Sequence, residues 1–217
     1  MADFTVDPTR TALINVDMQR CFVEGTPLAS PDGLALAARV NRLSAVCREA
    51  GATIVHTRGW MRPDGSNLGV MGEIVPPFLY GLYTAGAETA EIHPAVVVED
   101  GDVIVNKPRY GAFTGSELEL ILRSKGIDTV IITGIATNIC CETTAREAAQ
   151  LDFRVFFLSD GTATKEMNGV PAEVLQRATC ASLGMVFAQI ATVDEMIGKI
   201  RGAAAASREP VAAGHHG

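Results

Sequence analysis

The chain has 217 residues, 47% of them apolar and 20% charged, with a net charge of −7. That length supports one α/β domain with its own core, or at most two small domains. The acidic balance, with no basic cluster interleaved with aromatics, argues against a nucleic-acid groove.

The start, MADFTVDPTR, has no basic segment leading into an apolar one, so no signal peptide is expected. No apolar stretch is long and charge-free enough to span a bilayer. TALINV, 11–16, reads as a short buried strand closed by Asp17. A polar, Gly/Pro-rich stretch delays the next element. Residues 34–50 carry helical spacing at Leu36, Val40, Leu43 and Val46, with Gly51 as the stop. Residues 52–58 are the second strand. Residues 59–101 form a long connector holding Trp60, Phe78, Tyr80 and Tyr83 among glycines and prolines. Such a connector covers a pocket or an interface, is poorly ordered, or folds in part into short helices.

DVIVNK, 102–107, is the third strand and ends at Lys107. Residues 114–126 read as a helix with a Thr or Ser start and a Gly stop. Residues 129–134 are an almost wholly apolar strand, 138–150 a helix, 153–160 a strand and 170–184 a helix. The last strand is placed at 186–193, and DEMIGKI continues as a short helix. Residues 1–200 thus make one domain, and 201–217 a low-complexity C-terminal tail.

Short apolar strands alternating with amphipathic helices predict a three-layer α/β/α fold around a doubly wound, mainly parallel sheet of six strands. No Gly-x-Gly-x-x-Gly opens the first helix and no Gly-Lys-Ser/Thr loop exists, so a nucleotide cofactor is not expected. The five cysteines include no Cys-x-x-Cys, and the four histidines do not combine with them at ligand spacing. Neither zinc nor another metal is therefore expected, and a reducing cytoplasm is the natural compartment. In such sheets ligands bind beyond the carboxyl ends of the strands, where strand order reverses. That rule selects Asp17, Lys107 and the segment after Gly134.

That segment is GIATNICCETTAREAA, 134–149. With Thr137 or Asn138 as the cap, Cys140 falls in the first helical turn, where free N–H groups and the helix dipole favour a thiolate. A nearby Lys107 would lower the thiol pKa further. Cys141 is rotated from it by about 100°. Cys141 aligns with Ala145 and Ala148, an apolar stripe, and Cys140 with Thr144 and Glu147. This leans toward Cys140 without deciding. Plainer readings stand beside each residue. Free cysteines are commonly buried small hydrophobes, a strand-end Asp caps turns, and a lysine before a proline is often a solvated surface residue. Cys21, Cys47 and Cys180 read as structural, and His56 as a core histidine.

Three segments together, ALINVDMQRCF, VNKPRYGAFTGSELELILRSKGID and GIATNICCETTAREA, resemble the isochorismatase-like hydrolase superfamily in its cysteine amidohydrolase branch. The resemblance covers Thr11 to Ile197. It implies strand order 3-2-1-4-5-6 and a catalytic triad of Asp17, Lys107 and Cys140, with Cys140 as nucleophile. It also implies a cis peptide at Ile135–Ala136 and an oxyanion hole from the N–H groups of Ala136 and Cys140. The HTRGWMRPDGSN stretch lacks the Asp-x-His and His set of metal-dependent relatives, and Cys140 favours C–N cleavage over isochorismate chemistry. KPRYGAF and GIATNICCETTAR are most similar to members acting on ureidoacrylate and biuret.

The implied activity is cofactor-free hydrolysis of a C–N bond in a small linear amide, ureido or carbamoyl compound through a thioester-like acyl-enzyme. A vinyl ether or ester hydrolase and a non-catalytic binding domain are the alternatives. Gln19, Phe22, Arg58, Trp60, Arg109, Tyr110, Phe113 and Asn138 are the expected substrate-binding residues. Arginines among them, with Arg62, would meet a substrate carboxylate bidentately. The expected partner is a small molecule, without nucleic acid or membrane, and PPFLYGLYTAG suggests a homo-oligomer.

Overall fold

The chain is described by a computed structural model covering residues 3–206. Six strands form one sheet: β1 (Thr11–Val16), β2 (Thr53–Gly59), β3 (Val103–Lys107), β4 (Thr129–Ile135), β5 (Arg154–Ala163) and β6 (Gln189–Ala191). Their order is β3-β2-β1-β4-β5-β6, and every neighbouring pair is parallel. The helices are α1 (Arg20–Val23), α2 (Gly33–Glu49), α3 (Met71–Ile74), α4 (Pro77–Tyr80), α5 (Leu118–Ser124), α6 (Glu142–Gln150), α7 (Ala172–Val186) and α8 (Val193–Ala206).

All six residues of β1 are buried, because strands flank both its edges and helices cover both its faces. Side chains alternate across the sheet with period two. Ala12, Ile14 and Val16 therefore join Leu118, Leu122, Ala145 and Ala148 in one core. Leu13 joins Leu43, Cys47, Met196 and Ile200 in the other. This puts α5 and α6 on one face and α2 and α8 on the opposite one. The expected three-layer fold and strand order are both present.

In α2, Leu36, Val40, Leu43 and Cys47 are buried at helical spacing. The helix stops because Gly51, at φ +87°, lets the Ala52 and Gly51 N–H groups turn back onto the Cys47 and Arg48 carbonyls. That is a Schellman closure.

Several boundaries differ from the sequence expectation. The expected strand over 186–193 shrinks to Gln189–Ala191, because α7 continues to Val186. Met185 and Val186 point outward there, 79% and 73% exposed, so their apolar character did not mark a strand. The helix expected from 114 begins at Leu118. Thr114 instead gives its hydroxyl to Glu147 at 2.5 Å, and Ser116 Oγ accepts the Leu118 N–H. The last helix runs to Ala206, six residues into the segment read as a tail; residues 207–217 lie outside the described range.

Strand order reverses between β1 and β4. At the carboxyl end of that pair, Val16 sits opposite Gly134. Gly134 has φ +119°, and a Cβ there would lie 2.0 Å from the Val16 carbonyl oxygen. Only glycine permits this close approach. The two strands are pinched together at the last register pair, and the residues that follow, Asp17 and Ile135–Ala136, open the crevice.

Candidate active site

Asp17 follows β1 directly and is held at φ +51°, a left-handed conformation that aspartate tolerates better than most residues. Its N–H meets the Thr57 carbonyl and hydroxyl oxygens, each at 3.2 Å. The Thr57 hydroxyl donates to Asp17 Oδ1 at 2.8 Å. Lys107 reaches past the end of β2 to place Nζ 2.7 Å from Asp17 Oδ2. The same ammonium donates to the carbonyls of Arg109 at 2.9 Å and Tyr110 at 3.0 Å. The ammonium thus holds one carboxylate as an ion pair and two carbonyls as hydrogen-bond acceptors. Burial pulls the Lys107 ammonium down, but the charges of Asp17 and of a Cys140 thiolate outweigh it, and its pKa is raised.

The cysteines follow β4 through a cis peptide at Ile135–Ala136. Thr137–Cys141 is a π turn rather than the first turn of an α-helix. Cys141 N–H reaches back to the Ala136 carbonyl at 3.1 Å, an i to i−5 bond. Neither expected cap residue caps. Thr137 donates to Gln176 Oε1 at 2.5 Å and lies 3.0 Å from Thr162 Oγ1. Asn138 accepts from the Thr164 hydroxyl at 2.7 Å and donates to Met167 Sδ. Both side chains are drawn toward the β5 end, so the turn widens. Such π turns recur at functional sites.

The wide turn separates the two thiols. Cys141 donates to the Thr133 carbonyl at 3.7 Å and is fully buried with Ala145 and Ala148. Cys140 lies beside Asp17 and Ala136, the Asp17 carboxylate disfavouring a thiolate there and the Ala136 backbone N–H favouring one. Burial pushes the Cys140 thiol up to about 12, with Lys107 pulling down and Asp17 pushing up. The sequence expectation of a lowered thiol pKa is therefore corrected. A dry site and a carboxylate neighbour outweigh the lysine.

Around this trio lies a cavity of about 340 Å³. Of the expected substrate contacts, Phe22, Arg109 and Tyr110 line it. Gln19 does not. It is wholly buried and spends its amide on backbone, donating to Gly59 O and Ala90 O and accepting from Gly59 N. It ties the ends of β1 and β2 to the connector. Arg58 is paired with Glu91 and Asn106 and lies over the Trp60 ring at 4.1 Å, so both fall outside the cavity. Arg62 likewise stays outside, its guanidinium 3.4 Å from Ser66 Oγ. Phe113 packs against Phe153 in the core, and Asn138 is engaged as above.

One feature went unread in the sequence, and a second was read only as one option among several. Thr57, a threonine inside an apolar strand, holds Asp17. Met61, Met71, Ile74, Val75, Leu79 and Tyr83 bring the 59–101 connector over the cavity as a wall. The aromatics of that connector divide: Tyr83 turns in against Phe22, with ring centroids 5.7 Å apart, while Phe78 points to solvent.

A strap joins the lysine to the cysteine. Thr144 donates to the Cys140 carbonyl at 2.7 Å and accepts the Ala112 N–H. Glu147 accepts the Phe113 N–H. A Cβ at Gly111 would lie 2.2 Å from the Glu147 carboxylate, so a larger residue there would push Glu147 off the Phe113 N–H and Thr114 hydroxyl it holds. Among the described residues, no three His, Cys, Asp or Glu side chains are grouped to hold a metal ion, and no helix is long and apolar enough to cross a membrane.

Comparison with known proteins agrees with the fold. Residues 11–195 match the isochorismatase domain. The ureidoacrylate amidohydrolase RutB of Variovorax paradoxus is 30% identical over 209 residues, 86% of this chain and 80% of that protein. An uncharacterised isochorismatase family protein of Bacillus subtilis, YwoC, is 50% identical over a shorter stretch of 78 residues, 36% of this chain and 41% of that protein. The crystal structure of a cysteine hydrolase from Pseudomonas syringae pv. phaseolicola superposes with a TM-score of 0.87 at 30% identity, covering 93% of this chain and 97% of that one.

Proposed function

The chain belongs to the isochorismatase family, and from that premise we propose that it is a cysteine-dependent amidohydrolase cleaving a C–N bond in a small linear amide, ureido or carbamoyl compound. One observation carries the reading: Asp17, Lys107 and Cys140, delivered by the ends of three different strands, meet in a buried cluster at the floor of the cavity. The ureidoacrylate amidohydrolase relative supports the same chemistry.

In this reading Cys140 waits as a thiol, since burial disfavours its anion. As Sγ attacks the carbonyl carbon, Asp17 takes the thiol proton, and Lys107 offsets the charge of whichever partner is anionic. The Ala136 and Cys140 N–H groups receive the developing oxyanion. Protonated Asp17 returns its proton to the departing nitrogen, and the C–N bond breaks. Water then attacks the thioester, losing a proton to Asp17, which hands it to the leaving thiolate. Each cycle consumes one amide and one water and yields one acid and one ammonia or amine. Thr57 and Gln19 position Asp17 and the strand ends without touching substrate.

Ammonia release across a panel of amides, ureido acids and biuret tests the proposal. Activity lost in Cys140→Ala and kept in Cys141→Ala supports it; the reverse pattern refutes it. Absence of nitrogen release alongside ester or vinyl ether cleavage would move the protein to another hydrolase class. The reading places a homo-oligomer in the cytoplasm. The free cysteines support the compartment, and exposed Val70, Ile74 and Phe78 on the connector support subunit contact. Light scattering on a sizing column decides the latter, a concentration-independent monomer refuting it.

A further inference from the structure

The cavity is polar at its floor, and the rest of its lining is mostly apolar, with Arg109, Tyr110 and Lys165 as the polar exceptions. Asp17, Lys107 and Cys140 form the floor. Met61, Met71, Val75 and Leu79 come from the connector, and Ile139 and Met167 from the opposite side. Three of these six are methionines, whose flexible thioethers adapt to varied apolar shapes. The arginines and the lysine near the wall are each anchored to protein acceptors, which limits how far they can turn to a polar substrate. Arg58 is held outside by Glu91 and Asn106. Arg109 donates through Nη1 to the Asn67 and Pro108 carbonyls at 2.7 and 2.6 Å. Lys165 donates to the Pro27 carbonyl.

A ureido acid or biuret would bring a second set of N–H and C=O groups, or a carboxylate, against methionine and leucine side chains. Each buried polar group left unpaired costs roughly tenfold in affinity. An alkyl or aryl group in the same place gains about fourfold for each methylene buried.

We infer that the substrate of this site is an amide whose non-reacting part is an apolar alkyl or aryl group seated on the methionine-lined wall. The inference rests on the amidohydrolase reading for the reaction, R–CO–NH2 + H2O giving R–COOH + NH3, and on the cavity wall for R.

The test is kcat/KM for straight-chain primary amides from acetamide to hexanamide, with phenylacetamide, biuret and N-carbamoyl-β-alanine beside them, read as ammonia and acid formed. The expected result is a rise of about fourfold per methylene, roughly two-hundredfold over the series, with biuret and the carbamoyl acid below hexanamide. Leu79→Gln should flatten that slope. A flat or falling series with biuret or the carbamoyl acid preferred overturns the inference and leaves the amidohydrolase reading intact. If no compound is turned over, calorimetric binding to Cys140→Ala separates the two. The same ladder in Kd sustains the apolar site while the amidohydrolase reading fails, and no ladder overturns the inference as well.

Discussion

Replacing Lys107 by methionine is the perturbation whose size the structure fixes most closely. Lys107 and Asp17 are 2% and 1% exposed, and their charged atoms are 2.7 Å apart. An exposed pair would contribute about 0–1 kcal/mol. Here water cannot take the place of the missing ammonium, and the Arg109 and Tyr110 carbonyls lose their donor as well. Removing one member of a buried pair costs about 3–5 kcal/mol. For a chain of this size each kcal/mol shifts Tm by about 2–4 °C, so Lys107→Met is expected to melt roughly 6–20 °C lower. Asp17→Asn in the same chain removes the stranded charge. The double variant should then be more stable than the sum of the singles by about 0.5–3 kcal/mol. Urea unfolding of the four proteins, at constant slope, measures this cycle. A loss under about 1 kcal/mol in Lys107→Met, or strict additivity in the double variant, would refute the buried pair.

Three further outcomes follow from the same geometry. Cys141→Ala should lose about 1 kcal/mol of stability, as expected for a modest core truncation, and retain turnover, measured by melting and ammonia release together. Because burial pushes the Cys140 thiol up to about 12, iodoacetamide should modify it slowly at neutral pH, with the rate still climbing above pH 9; a plateau near neutrality would show a preformed thiolate. Burial also holds the His56 imidazole below its ordinary value of 6.5, against the opposing pull of Asp102. A depressed folded pKa leaves stability intact above 6.5 and removes it as pH falls from there through the folded value. His56→Gln should therefore show a shallower acid decline than wild type, and an unchanged slope in a melting series from pH 7 to 4.5 would contradict that.

The sheet was legible because its central strands β1 and β4 are short, nearly all-apolar runs, a pattern that burial on both faces imposes, and β2 and β3 are short β-branched runs bounded by glycine or proline. The three site residues were legible because a parallel sheet gathers the residues that follow its strands onto one edge. What stayed hidden depended on distant partners. Gln19 reads as a polar group near the site, yet its amide is consumed by two backbone segments far along the chain. Arg58 looks like a carboxylate ligand until Glu91 and Asn106 are seen to hold it. The π turn follows from where Thr137 and Asn138 find hydrogen bonds, on residues 25 to 39 positions later, and no local periodicity encodes it. The cavity wall came from a connector whose apolar residues have no regular period, so Met61, Met71 and Tyr83 gave no helix or strand signal.

Mass spectrometry of protein quenched during turnover tests the central claim most directly, with fragment ions that separate positions 140 and 141. The expected spectrum shows an added acyl mass on Cys140, absent in Cys140→Ala and present in Cys141→Ala. An acyl group on Cys141, or substrate consumed with no adduct at either cysteine, would contradict a nucleophilic Cys140.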